Sequence, residues 1–107
     1  MDITIQARRV TLPVAAKEAL QDRLHAALDR FDSLIRWGVM ALEDINGPRG
    51  GRDKQCRLLL STSFGGEVII EERADQLQTA AMRAIDRAAA TVRRLVGKRQ
   101  TWRHGAS

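Results

Sequence analysis

The hydrophobic spacing of this chain switches near its start, and that switch limits the folds open to it. In "DITIQA", residues 2–7, Ile3 and Ile5 alternate with Asp2, Thr4 and Gln6. A repeat of two belongs to a half-buried strand. Shortly afterwards Ala16, Leu20, Leu24, Ala27, Leu28 and Phe31 recur at spacings of three and four. At about 100° per residue they share a stripe about 120° wide, which is an amphipathic helix. Thr11 is the expected N-cap, and Pro13 is tolerated in the first turn. Alternation resumes in "DSLIRWGVMALEDI", residues 32–45, with Ile35, Trp37, Val39 and Ala41 on one side. Strand, helix, strand implies a parallel pair joined by a right-handed crossover.

The remaining segments follow with short connections. "NGPRGGRD", residues 46–53, is loop chemistry. "KQCRLLLSTS" is a third strand, with Cys56, Leu58, Leu60 and Thr62 on one side. The glycines of "FGGE" permit the positive φ of a tight turn. In "EVIIEER" Val68 and Ile70 point inward, while the side of Ile69 is not fixed by the pattern. Asp75 is placed to cap a long helix over residues 76–98, and "TWRHGAS" ends the chain as a polar tail. The predicted fold is α+β with the order β-α-β-β-β-α. Two helices pack on one face of a four-stranded mixed sheet, and the other face is polar and wet. Residues 1–99 form the single expected domain and 100–107 the tail.

Charge is distributed unevenly. The net charge of +5 comes from 18 basic and 13 acidic residues, yet residues 1–82 alone balance at −1 and residues 83–107 at +6. A localised basic surface points to a polyanionic partner, nucleic acid or anionic membrane. On a helical wheel Arg83, Arg87, Arg94 and Lys98 share a strip about 60° wide on the helix flank. Arg83 with Arg87, and Arg94 with Lys98, are like charges at i,i+4, which cost a helix roughly 0.2–0.5 kcal/mol per pair. The helix dipole favours Lys98 and Arg99 near a C-terminus but does not explain Arg83 or Arg87. Phosphate neutralisation explains all four, against the plainer alternative of a solvated basic face. Arg23 and Arg30 fall beside the apolar stripe of the first helix and can flank a shared groove. Arg8 and Arg9, after the first strand, can extend the surface.

Other sites are weaker. Cys56 is the only cysteine, so there is no intrachain disulfide, and its apolar strand marks it as a core residue. His25 and His104 lack metal-ligand spacing, and no nucleophilic triad is discernible. Glu71 and Glu72 are most simply solvent-facing and edge-protecting. "GPRG" at 47–50 and "RGGR" at 49–52 are faint RNA-loop signals on a hairpin. Trp102 in the tail either stacks on a base or folds back. No enzyme activity, cofactor, metal or small-molecule substrate is expected. No segment approaches the ~18 apolar residues of a membrane span, and the N-terminus lacks a signal-peptide core. The expected setting is the cytoplasm.

The strings "ITIQARRV", "ALDRFDSLI", "GGEVII" and "AIDRAAATVRRLV", in this order over residues 1 to about 99, resemble the ribosome hibernation-promoting factor and ribosome-associated inhibitor family, also labelled sigma-factor modulation proteins. The resemblance implies a β-α-β-β-β-α domain that binds rRNA of the small ribosomal subunit. Its basic helices would lie in the mRNA and tRNA channel and silence translation under stress or in stationary phase in bacteria. Arg23, Arg30, Arg83, Arg87, Arg94 and Lys98 match places where the family carries basic helix residues. Ala7 departs from a common glycine, "DQLQTAAM" from a common Tyr- or Leu-Ala-Ala run, and the first helix is sparsely basic. The dimerising C-terminal domain of long members has no counterpart here, so a short form is expected. Two alternatives remain: a double-stranded-RNA-binding module, whose α-β-β-β-α order this chain contains, and a protein-interaction regulator.

Overall fold

The computed structural model describes the backbone of residues 1–45 and 54–106 and the side chains of 1–45 and 54–98. The loop motifs at 47–52 and the side chains of Trp102 and His104 lie outside those residues. Four strands, β1 (Asp2–Arg8), β2 (Ile35–Asp44), β3 (Lys54–Thr62) and β4 (Glu67–Ala74), form one sheet in the order β1-β2-β3-β4. The β1–β2 pair is parallel, and the other two pairs are antiparallel. Helix α1 (Val14–Leu28) provides the crossover, and α2 (Leu77–Ala106) closes the chain. The element order is the expected one. The last helix runs past the predicted end at Lys98, through residues expected as a tail.

One sheet face and the two helices enclose the core. Leu24, Leu28, Met40, Leu42, Cys56, Leu58, Leu60, Ile85 and Val92 are fully buried. Burying a side chain of the size of Leu or Ile is worth roughly 1.5–3 kcal/mol, so this cluster supplies most of the driving force. Cys56 is a core residue, and burial first, then the nearby Glu72 carboxylate, pushes its thiol up to about 12. The Gln21 side-chain amide donates to the Ile3 carbonyl at 2.8 Å, tying α1 to the free edge of β1. Helix α2 packs on β3 and β4.

Four local readings are corrected. Thr11 does not cap α1: the N-cap is Pro13, extended at ψ 150°, and its carbonyl accepts from Lys17 N–H. The α-helix stops at Leu28, and Asp29–Leu34 tightens into a 3-10 segment containing Phe31, whose ring still reaches the core. On β2, Ile35 pairs with Thr62 but Trp37 pairs with Ser61, so Arg36 is an extra residue, a β-bulge. The bulge moves Gly38, Met40 and Leu42 to the core side with Ile35 and turns Trp37, Val39 and Ala41 to the opposite face. Glu71 and Glu72 do not share a face, because successive strand residues alternate: Glu71 is exposed, whereas Glu72 lies on the helix-covered side.

Gly38 is where the bulged strand meets the core most closely. A Cβ there would sit 2.8 Å from Leu60 Cδ2 and 3.0 Å from the Leu59 carbonyl, so only glycine fits without a shift. The β3–β4 turn is built as its sequence suggests. Gly65 and Gly66 have φ of 97° and 84°, and the Thr62 hydroxyl donates to the Gly66 carbonyl at 2.9 Å.

Candidate nucleic-acid interface

Helix α2 is amphipathic in an asymmetric way. Ala80, Ala81, Ala84, Ile85, Ala88 and Val92 are fully buried against the sheet. The alanines let the helix sit close to β3 and β4, and their high helix propensity suits its length. Arg83, Arg87, Arg94 and Lys98 are all exposed. At about 100° per residue they occupy one strip beside the shoulder of Ala80 and Ala84. The opposite shoulder carries Gln78, Met82, Ala89 and Val96. Gln78 and Leu77 line a cleft with Ala16, Ala19 and Leu20 of α1, so that shoulder faces α1. The cationic strip therefore lies on the flank away from α1, above the β4 edge.

The four cations of the strip are not equivalent. Arg87 Nη1 donates to the Glu72 carboxylate and, at 3.1 Å, to the Glu71 carbonyl. Its guanidinium is spent partly on anchoring α2 to β4, although the side chain remains 55% exposed. Arg83, Arg94 and Lys98 make no ion pair among the described residues. Arg83 lines a recess with Ala74, Asp75, Gln76 and Thr79 at the helix start. Sequence reasoning treated all four alike, because the Glu72 contact depends on which strand α2 lies over.

The other candidate cations lie elsewhere. Arg23 is exposed on α1, on the opposite side of α2 from the strip. Arg30 belongs to the 3-10 segment, so its helical-wheel position does not hold; its guanidinium lies 5.9 Å from the Phe31 ring centroid. The shared groove with the strip is thus not formed by Arg23 and Arg30. Arg8 ends β1 beside Glu43 of β2. Arg9 is held at φ 57°, a left-handed conformation costly for a residue with a Cβ. Arg93, exposed on α2, was missed because it falls outside the strip, toward α1. Together these groups offer dispersed positive charge with one concentrated row. Among the described residues no group of three or more His, Cys, Asp and Glu could hold a metal. No described helix is long and apolar enough to cross a membrane.

Comparison with known proteins agrees with this architecture. Residues 3–100 match the model of the family described as sigma 54 modulation protein / S30EA ribosomal protein. No curated protein sequence matches the chain. Among solved structures, the Thermus thermophilus Protein Y N-terminal domain is similar with a TM-score of 0.72 at 22% identity, over 89% of this chain and 99% of that one. A ribosomal subunit interface protein from Coxiella burnetii is similar with a TM-score of 0.76 at 14% identity, over 91% of this chain and 99% of that one. At these identities the two structures speak for the fold. The family match spans nearly the whole chain, and the chain belongs to the sigma 54 modulation / S30EA ribosomal protein family.

Proposed function

We propose that this chain is a non-enzymatic, cytoplasmic factor that binds rRNA of the small ribosomal subunit, occupies the mRNA and tRNA channel and silences translation. Membership of a family described as ribosomal supports the ribosomal partner. So does the likeness to a ribosomal subunit interface protein. The observation that carries the reading is the exposed row Arg83, Arg94 and Lys98, joined by the half-exposed Arg87, on one flank of α2.

The chemistry is ion exchange. Each cation that meets a phosphate releases a condensed counterion, and this drives binding entropically. Backbone phosphates carry no base identity, so selectivity comes from the shape of folded RNA. The strip is straight and rigid because a packed helix carries it. Arg23, Arg30, Arg93, Arg8 and Arg9 extend the contact to other RNA segments.

A salt series with purified small subunits tests this. About four phosphate contacts at a slope of −0.7 to −0.9 each give a loss of roughly 50- to 150-fold for a fourfold rise in salt. Salt-independent binding to a protein in RNA-free buffer would instead identify a protein-interaction regulator. Equal affinity for an isolated RNA duplex would identify a double-stranded-RNA module.

A further inference from the structure

Glu72 is the only carboxylate paired with the cationic strip among the described residues. Charge alone gives it no reason to be there, because a carboxylate beneath a row meant for phosphate cancels part of its field. The way Arg87 meets it supplies a reason. Both contacts fall on one nitrogen: Nη1 donates to the Glu72 carboxylate and, at 3.1 Å, to the Glu71 carbonyl. A terminal guanidinium nitrogen carries two hydrogens, so these two acceptors use both. The Glu71 carboxylate takes no part; it lies on the other face of the sheet, 3.7 Å from Arg57 Nε. The guanidinium is planar, so with Nη1 turned to β4 the Nε–Nη2 edge points away from β4. That edge makes no hydrogen bond among the described residues, and the side chain is 55% exposed. Its two parallel N–H groups are the fork that takes a phosphate bidentately.

We propose that Glu72 is a positioning residue for RNA: with the Glu71 carbonyl it holds Arg87 so that the Nε–Nη2 edge is set to receive one backbone phosphate. The inference rests on the ribosomal-RNA reading and divides the strip into two roles. Arg83, Arg94 and Lys98 supply the field and the counterion release. Arg87, partly neutralised by Glu72, supplies direction. A long side chain that is free in the unbound protein must be ordered on binding, which costs roughly two- to twelvefold in affinity. Arg87 is ordered already by folding, against a strand of the packed sheet. Arg83 one turn before it and Arg94 two turns after it, about 6 and 10 Å along the axis, continue the same track for an RNA backbone.

Binding to purified small subunits at ~0.3 M salt, where the ionic contribution is reduced, tests it. Glu72→Ala removes a negative charge, so electrostatics alone predicts tighter binding. Lost positioning predicts the opposite sign, binding about fivefold weaker than the parent. Glu72→Gln keeps an oxygen that accepts from Nη1 and should bind at least as well as the parent. Arg87→Lys keeps the charge without the fork and should bind about tenfold more weakly at an unchanged salt slope. Thermal unfolding verifies that each variant is folded. A Glu72→Ala variant that binds as well as its parent or better, a Glu72→Gln variant as weak as Glu72→Ala, or an Arg87→Lys variant as tight as the parent overturns the proposal. A parent that does not bind small subunits overturns the ribosomal reading instead. The phosphate seat is then decided by NMR of the chain with an RNA hairpin, in which the Arg87 Nε–H resonance should shift in the parent and not in Glu72→Ala. An Arg87 Nε–H that stays unmoved in the parent overturns the seat.

Discussion

Ile85 and Arg94 stand about two and a half turns apart on α2 and have opposite duties. Ile85 is fully buried against the sheet, whereas Arg94 is exposed and makes no ion pair among the described residues. The sheet-facing stripe is made of Ala, Ile and Val, residues that gain by leaving water. The flank is made of cations spaced so that they repel one another, which costs the free protein a little. One side of the helix is therefore accounted for by folding and the other is not. Arg87 sits on the border: it touches Glu72 and the Glu71 carbonyl, and it is still half exposed.

That contrast can be broken by substitution. The largest effect is expected from Ile85→Ala, which leaves a cavity and should cost about 2–5 kcal/mol in denaturant unfolding. Ribosome affinity per folded molecule should not change; a parallel loss of affinity would merge the two sides. Next is alkaline titration of the covered face. Burial and Glu72 raise the Cys56 thiol from 9.0 to about 12, so above pH 9 the unfolded chain releases a proton that the native chain keeps. Stability should fall by up to ~1.4 kcal/mol per pH unit between about pH 9 and 12, and Cys56→Ala should remove that extra slope. Equal slopes in both proteins would mean that the thiol is hydrated. The smallest effect is expected from Arg87→Ala. Its partly exposed ion pair is worth about 0.5–1 kcal/mol. The same change should shrink the salt slope of ribosome binding by less than Arg94→Ala does. A full-sized slope change with no loss of stability would place Arg87 wholly with the binding flank.

Much of this was legible in the sequence because helical and strand periods are local. Ile3 and Ile5, Leu20 to Leu28, Cys56 to Thr62, and Val68 with Ile70 announced their buried sides without tertiary information. The strip of Arg83, Arg87, Arg94 and Lys98 was legible for the same reason, since its width depends only on residue spacing. What stayed hidden was set by contacts between segments. The bulge at Arg36 inverts the reading of β2 from Trp37 onward, and no residue there announces it. Gly38 marks the close approach to Leu60, but only once the register is known. The left-handed Arg9 carries no glycine signal. Which flank the strip occupies depends on which shoulder of α2 meets α1, and this placed Glu72 beneath Arg87. It also set Arg23 and Arg30 apart from that row, one of the two arrangements that residue spacing alone leaves open.

Arg87 is for this reason a poor residue for a decisive charge reversal, because a glutamate there would face Glu72 and disturb folding. Arg94→Glu with Lys98→Glu avoids that contact. Co-sedimentation of this double variant with small subunits, beside its thermal unfolding curve, is the most direct test. Loss of affinity of about a hundredfold or more with an unchanged melting transition is the predicted result. A folded double variant that pellets with the subunit as well as its parent would contradict the account.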